Sequence, residues 1–296
     1  MSIIYEIASA AAAKAAGLLI PEDRSAVLIR YGKSRSQTVI FRCPPKKTAA
    51  SSRRGPVVVY FHHCGGILSG GSDLPAAAAR LTAKGYCVAV CCFRRFPMQI
   101  DDSFSALEAV TAYMAETGLG RRVILAGDSN GAISAALCAL DADARYDRGI
   151  DCEIAGLLSV GGRLDLRRAL KRMPWAKVAL ITMFSRCDAS EIAGYSPLSR
   201  IADCDPIPVL CLHGKYDNIV PYAGAMRFVR RMNERIAESG DASSGRAVMI
   251  EIKDPVYRHI RLTDGLWLEN PKKSPLQREV YEWIEKISNQ ALKISN

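Results

Sequence analysis

Val123-Ile124-Leu125-Ala126-Gly127-Asp128-Ser129-Asn130-Gly131 is the stretch of this sequence that decides the fold. A short apolar run ends at Gly127, and the small-residue pattern of 132–140 that follows Gly131 is typical of a helix. The stretch therefore predicts a strand, a sharp turn and a helix, with Ser129 raised above the end of a sheet. That geometry is typical of a nucleophile elbow, in which the helix N-terminus places amide N–H groups beside the serine hydroxyl.

Strand and helix patterns alternate on both sides of this stretch, which predicts an α/β fold with a mostly parallel sheet. Eight candidate strands cover 26–31, 37–42, 57–61, 87–92, 123–126, 155–160, 208–213 and 247–252. The linker between the first two is too short for a crossover helix, so these strands are expected to pair as a hairpin. Helix patterns lie at 75–84, 102–116, 132–140, 222–238 and 275–290.

Length and hydropathy bound the organisation of the chain. Its 296 residues are enough for one large α/β domain with an embedded lid or for two small domains, and no apolar run is long enough to span a bilayer. Residues 1–24 lack a basic start and carry an early acid, which favours a short amphipathic helix over a secretion signal. The ten cysteines have no framework spacing, so we expect buried thiols in a reducing, cytoplasmic setting.

The net charge of +10 raises the question of a nucleic-acid partner. Basic residues cluster at 163–172 and 227–235, both at helical spacing with apolar residues between them, and no nucleic-acid motif or aromatic-interleaved patch accompanies them. We therefore predict that both clusters are solvated helix faces and that the protein binds no nucleic acid.

Three residue types suited to nucleophilic catalysis follow three of the candidate strands. Ser129 follows the fifth strand, Asp217 the seventh and His259 the eighth. Ligands of open α/β sheets bind beyond the carboxyl ends of the strands, so these side chains are expected to meet. A serine hydroxyl needs an imidazole to take its proton, and the imidazole needs a carboxylate to fix its tautomer. We predict Ser129 as nucleophile, His259 as base and Asp217 as the orienting acid.

Other histidines and acids fit these roles less well. His62 and His63 precede the serine, and His213 lies on the strand that leads to Asp217, where a buried structural role is expected. Asp254 and Asp264 are competing acids, but each lies within five residues of His259, which suits local turns.

A glycine-rich loop, Phe61-His62-His63-Cys64-Gly65-Gly66-Ile67-Leu68-Ser69-Gly70-Gly71, follows the third strand. Such a loop can direct consecutive backbone N–H groups at one oxygen. We predict an oxyanion hole formed by the N–H groups of Gly65, Gly66 and Asn130. The predicted chemistry requires neither a cofactor nor a metal ion.

From about residue 57 to residue 259 the chain resembles the hormone-sensitive-lipase family of α/β-hydrolase carboxylesterases. The family's His-Gly-Gly-Gly loop is matched by His63-Cys64-Gly65-Gly66, and His62 fits the family histidine if one residue is inserted. Cys64 replaces a glycine in either register. The elbow Gly-Asp-Ser-Ala-Gly is matched by 127–131 except at Asn130, and the Tyr-Arg-Leu-Ala-Pro segment is similar to 93–97, with acids at 101–102. The segment 195–198 resembles the exit from the family's cap.

The resemblance implies an α/β-hydrolase fold with an eight-stranded, mostly parallel central sheet, flanking helices and a helical cap. Residues 1–24 would form a cap helix, and residues 25–296 the hydrolase domain with a cap insertion at about 161–206. Within that insertion the apolar segment 174–184 is expected to cover the pocket. Cys64, Trp175, Met183 and Phe184 are the predicted pocket residues.

The expected activity is cleavage of short- to medium-chain carboxylic esters of small molecules through an acyl-enzyme. An amidase or a biosynthetic acyl-transfer enzyme with the same triad stays open, because the nucleophilic half-reaction is identical. A non-catalytic receptor similar to the plant gibberellin receptors is a further alternative. Those receptors lack the histidine, and the presence of His259 argues against that reading. A homodimer is also left open.

Overall fold

A nine-stranded sheet forms the centre of the structure. The computed structural model describes residues 4–7, 26–34, 36–44, 55–62, 73–94, 100–172, 180–181, 184, 187–240, 245–263, 266–267, 269–270 and 273–292. The strands are β1 (Ile4–Ile7), β2 (Ala26–Arg30), β3 (Thr38–Arg42), β4 (Val57–Phe61), β5 (Val88–Cys92), β6 (Arg122–Asp128), β7 (Glu153–Val160), β8 (Val209–Gly214) and β9 (Ala247–Ile252). All eight predicted strands are present, and the predicted fold class is confirmed.

The strand order is β1-β2-β3-β5-β4-β6-β7-β8-β9. Pairing is parallel from β5 through β9 and antiparallel among β1, β2, β3 and β5. The predicted hairpin of β2 and β3 is therefore confirmed. Strands β4 and β8 are buried along their whole length, as expected for parallel strands covered on both faces.

Helices cover both faces of the sheet. The described helices are α1 (Asp73–Ala83), α2 (Ile100–Thr117), α3 (Gly131–Leu140), α4 (Ala142–Asp147), α5 (Leu166–Arg172), α6 (Ala189–Gly194), α7 (Pro197–Arg200), α8 (Ala223–Ser239), α9 (His259–Thr263) and α10 (Pro275–Leu292). Along β4, Val57, Val59 and Phe61 join one apolar cluster with α2, α3 and α8, whereas Val58 and Tyr60 join a second cluster with α1 and α10. This alternation follows from the two-residue period of a strand.

The predicted N-terminal helix is wrong at its start. Ile4–Ile7 forms strand β1, which pairs antiparallel with β2 in the register Ile4↔Arg30. The sequence Ile-Tyr-Glu-Ile supplies β-branched and aromatic residues, which fit a strand better than a helix. The rest of the predicted helix lies outside the described residues.

The expectation that all cysteines are thiols is also wrong. Cys43 and Cys87 form a disulfide, with Cα atoms 4.2 Å apart. Strands β3 and β5 are antiparallel and pair Arg42 with Val88, so the adjacent residues Cys43 and Cys87 lie opposite each other. The two cysteines are 44 residues apart in the sequence. Seven of the other cysteines are free in the structure, and Cys64 lies outside the described residues.

The predicted cap insertion at 161–206 contains helices α5, α6 and α7. Helix α6 begins with a capping box in which Asp188 and Glu191 bond each other's backbone N–H groups. Trp175 and Met183 lie outside the described residues, and the division into cap and core stays a prediction. Within the part of the chain that is described, no helix has both the length and the apolarity to cross a membrane.

Candidate active site

The turn between β6 and α3 holds Ser129 in a strained backbone conformation. Ser129 has a φ of 48°, the single positive φ of a residue other than glycine among the described residues. The glycines on either side permit this turn. A Cβ on Gly127 would lie 2.6 Å from the carbonyl carbon of Gly131, and one on Gly131 would overlap the carbonyl oxygen of Phe61. Only glycine therefore fits at positions 127 and 131.

The backbone of Ser129 is held by strand β7 and the residues that follow it. Its N–H donates to the carbonyl oxygen of Val160 at 3.0 Å, and its own carbonyl oxygen accepts from the N–H of Arg163 at 3.2 Å. The position of the serine is thus set by two neighbouring strand ends, β6 and β7.

His259 reaches Ser129 from the loop after β9. It is the first residue of α9 and is only 5% exposed. Its Nε2 lies 2.8 Å from the Oγ of Ser129, and its Nδ1 lies 2.7 Å from the Oδ2 of Asp217. The structure therefore brings the three predicted residues into one hydrogen-bonded chain.

Asp217 is fixed by backbone donors on its other oxygen. Oδ1 accepts from the N–H groups of Ile219 at 2.9 Å and Val220 at 2.7 Å. Burial acts to raise the pKa of Asp217, but hydrogen bonds from His213, His259 and Val220 outweigh it and hold that pKa well below its usual range. The acid is therefore an anion at neutral pH, as the orientation of His259 requires.

His213 is buried, as predicted, and it also supports Asp217. Its Nε2 lies 2.8 Å from the carbonyl oxygen of Val220 and 3.3 Å from Oδ2 of Asp217. Because a carbonyl oxygen only accepts, Nε2 carries the hydrogen. Its Nδ1 is buried and has no partner within the described part of the chain. Sequence reasoning placed His213 in the core but missed this contact.

The competing residues are placed elsewhere. Asp254 is exposed, and among the described contacts its carboxylate accepts only a local bond from the N–H of Val256 at 2.9 Å, whereas Asp264 lies outside the described residues. The ring of His62 bonds Asp128 with Nδ1 2.9 Å from Oδ2, which places it behind the elbow rather than at the Ser129 hydroxyl.

The predicted oxyanion and pocket residues are described only in part. Asn130 follows Ser129 directly and is the N-cap of α3, so its backbone N–H lies at the helix start. Gly65, Gly66 and Cys64 lie outside the described residues. Phe184 is 1% exposed and its ring stacks on Tyr195 at a centroid distance of 5.9 Å. Its role as a pocket wall stays a prediction.

Arg163 is a site feature that the sequence reasoning assigned wrongly. It was expected on a solvated helix face, but it precedes α5 and is only 7% exposed, whereas Arg167 and Arg168 on α5 are exposed as predicted. Burial lowers the pKa of Arg163 to about 10, a loss partly offset by the charge of Asp217. The sequence signal for this placement is the pair Gly161-Gly162 directly before Arg163. Two glycines in succession are typical of the end of a strand and disfavour the start of a helix.

Comparisons with known proteins give the same fold. Residues 58–189, a little under half of the chain, match a family described as alpha/beta hydrolase fold. Esterase B from Lactobacillus rhamnosis superposes with a TM-score of 0.70 at 18% identity, covering 97% of this chain and 95% of that one. Esterase 2 from Thermogutta terrifontis gives 0.63 at 19% identity, covering 93% and 96%. Among curated proteins, none matches this sequence. The predicted resemblance to α/β-hydrolase carboxylesterases is confirmed.

Proposed function

Taking the chain as a protein of the α/β-hydrolase fold, we propose that it is a serine hydrolase that cleaves short- to medium-chain carboxylic esters of small molecules. The observation that carries the proposal is the hydrogen-bonded chain Ser129–His259–Asp217, with distances of 2.8 and 2.7 Å. Each group stands within the reach that proton transfer and ring orientation require.

The first half-reaction forms an acyl-enzyme. Oγ of Ser129 attacks the ester carbonyl carbon while Nε2 of His259 takes its proton. The carbonyl oxygen becomes an oxyanion that the N–H groups of Asn130, Gly65 and Gly66 stabilise. The intermediate then collapses, the bond to the alcohol oxygen breaks, and His259 returns the proton to that oxygen.

The second half-reaction releases the acid. A water molecule attacks the acyl carbon while Nε2 of His259 takes one of its protons. The bond to Oγ breaks, and His259 returns the proton to Ser129. Asp217 keeps hydrogen on Nδ1 throughout, so Nε2 is bare whenever a proton has to be taken.

Preference for short to medium acyl groups is the finer part of the proposal. Bulky side chains of Trp175, Met183 and Phe184 are expected to end the acyl channel, and each buried methylene contributes about 0.8 kcal/mol until that end is reached. Two structurally similar esterases support small acyl groups. Esterase B from Lactobacillus rhamnosis was solved with a tributyrin phosphonate inhibitor, and Thermogutta terrifontis esterase 2 with propionate bound.

An amidase or an acyl-transfer enzyme would use the same first half-reaction, and only the natural leaving group and acceptor separate them. A non-catalytic receptor is disfavoured because His259 is present and bonds the Ser129 hydroxyl. We further propose a cytoplasmic location. That expectation was based on all cysteines being thiols, and the Cys43–Cys87 disulfide departs from it. A homodimer stays an open alternative.

The test is covalent labelling followed by turnover. A fluorophosphonate probe should add to Ser129 alone, and Ser129→Ala should abolish labelling and lower ester turnover by several orders of magnitude. Ser134→Ala is the matched control, because Ser134 is a buried serine of α3, the helix that follows Ser129, and its hydroxyl bonds Ser103 at 2.7 Å. Turnover of Ser129→Ala within about tenfold of the parent would contradict the assignment.

The acyl preference is tested separately with esters of increasing acyl length. We expect kcat/KM to rise with chain length and then fall sharply within the short to medium range. A strong preference for a long-chain ester would show that the channel has no such end, and would leave the assignment of Ser129 intact.

A further inference from the structure

Arg163 is a buried cation for which the described residues supply no anion. No carboxylate of the described residues lies within 4 Å of its guanidinium, and its Nη1 is buried without a hydrogen-bond partner. Its Nε makes one bond, to Oδ1 of Asn130 at 3.4 Å. A buried, incompletely bonded charge is costly unless an anion completes its surroundings. Among the described residues, nothing bonds this charge strongly enough to offset its burial.

The nearest candidate anion is already occupied. The charge of Asp217 acts on Arg163, but both oxygens of that carboxylate are engaged, one by backbone N–H groups and the other by His259 and His213. Asp217 therefore moderates the charge of Arg163 without bonding it.

A cavity of about 300 Å³ opens beside Arg163. Its lining contains both charged and apolar residues. The cationic residues are Arg163, Arg168 and Arg227, and one acid, Asp165, accompanies them. Asp165 is not available to a ligand cation, because its Oδ2 accepts from Nε and Nη2 of Arg227 at 2.9 and 2.7 Å. The cavity thus has an excess of positive charge.

The cavity adjoins the catalytic chain. It is lined by Val220, whose N–H holds Asp217, and by Gly162 and Arg163. The N–H of Arg163 bonds the carbonyl oxygen of Ser129, and its side chain bonds Asn130, the next residue. A group bound at Arg163 would therefore lie beside the residues that hold Ser129 and Asp217 in place.

We propose that the substrate of this site is an ester that also carries a free carboxylate, and that Arg163 binds that carboxylate in the cavity beside Asp217. The inference rests on the proposed ester hydrolysis and names its substrate class. A guanidinium presents a planar fork of N–H donors that matches a carboxylate, and such charge-assisted bonds are the stronger ones. With a pKa of about 10, Arg163 is charged at neutral pH.

The test compares esters of equal shape that differ only in charge. Monomethyl glutarate is paired with methyl 4-carbamoylbutanoate, which places the carboxylate or its amide on the acyl side. The pair 4-acetoxybutanoate and 4-acetoxybutanamide places it on the alcohol side. We expect the wild-type enzyme to prefer the carboxylate by about tenfold or more in kcat/KM in one of the pairs. A preference under about twofold in both pairs would overturn the proposal.

Variants assign the preference to Arg163. Arg163→Gln should reduce the charged-to-neutral ratio to near one, whereas Arg167→Gln should keep it. Arg167 is the matched control, because it is exposed on α5 and absent from the cavity lining. A ratio that persists in Arg163→Gln overturns the assignment. If that variant does not fold, Arg163→Lys carries the test, since lysine keeps the charge but lacks the fork, and its ratio should fall several-fold.

Failure of the proposed function has a different signature. If no ester of either pair is hydrolysed, ester hydrolysis is refuted for these probes, and binding is measured instead. Glutarate should then raise the Tm of the wild-type protein more than glutaramide does, and this difference should vanish in Arg163→Gln. Equal effects of the two compounds would overturn the carboxylate site.

Discussion

Replacing Asp217 by asparagine tests the reasoning about the His259 tautomer. Four N–H groups face this carboxylate, two backbone donors on Oδ1 and two imidazole nitrogens near Oδ2. An asparagine can offer its carbonyl oxygen to only one of these pairs. Turning its NH2 group toward the backbone donors of Ile219 and Val220 would leave buried donors unsatisfied, at about 1–3 kcal/mol each.

The NH2 group of the asparagine should therefore face His259. In that arrangement Nδ1 of His259 must accept, so the ring hydrogen moves to Nε2 and points at Ser129. The serine then has no base although the geometry is intact. We expect kcat/KM to fall by about 10³- to 10⁴-fold, the size seen when the wrong tautomer is imposed in a serine protease, or about 4–5.5 kcal/mol of transition-state stabilisation.

The assay is hydrolysis of a short-chain ester, with circular dichroism as a check on folding. Asp254→Asn is the control, because Asp254 lies five residues before His259 and its described bond is local. It should retain kcat/KM within about threefold of the parent. If Asp217→Asn kept more than about a tenth of the activity, the proposed orientation of His259 by Asp217 would be refuted.

Three further predictions follow from packing, charge and the disulfide. In urea denaturation, Gly131→Ala should lower the free energy of unfolding by about 3 kcal/mol, and it should abolish activity, because backbone atoms occupy the space that its Cβ needs. The control Gly194→Ala has open space at its Cβ and should leave the free energy of unfolding unchanged or raise it. The pKa of Asp217 lies below its usual value, so the ionised Asp217 stabilises the fold above about pH 4 and this stabilisation is lost as the pH falls further. Below about pH 4, the free energy of unfolding should therefore fall less steeply with pH in Asp217→Asn than in the parent. Non-reducing peptide mapping should find Cys43 linked to Cys87, and reduction should cost about 2–4 kcal/mol; finding both as thiols under oxidising conditions would contradict the pairing.

Much of the candidate site could be predicted because its logic is local or follows chain order. The glycines at 127 and 131 are required by steric contacts within one turn, so the motif predicts the geometry directly. Ser129, Asp217 and His259 could be brought together in advance, because ends of neighbouring parallel strands meet at one sheet edge.

The features that the sequence did not reveal depend on register or on distant partners. The disulfide needs the alignment of β3 with β5, which neither strand's sequence specifies alone. The contact of His213 with Asp217 depends on how the loop after β8 returns toward its own strand. Arg163 belongs to a cluster of basic residues at helical spacing. It differs from the exposed arginines of that cluster because α5 begins only at Leu166, so Arg163 lies before the helix.

The two backbone bonds that join Ser129 to the end of β7 and to Arg163 bear on how this site could diversify. Val160 and Arg163, the two ends of a short segment, each make one of these bonds. An insertion or deletion between them would therefore displace Ser129 and its Oγ. Changes of chain length beyond Arg163 would leave both bonds in place. Proteins of this fold with altered specificity are therefore expected to vary in length after this point, and to vary only side chains before it.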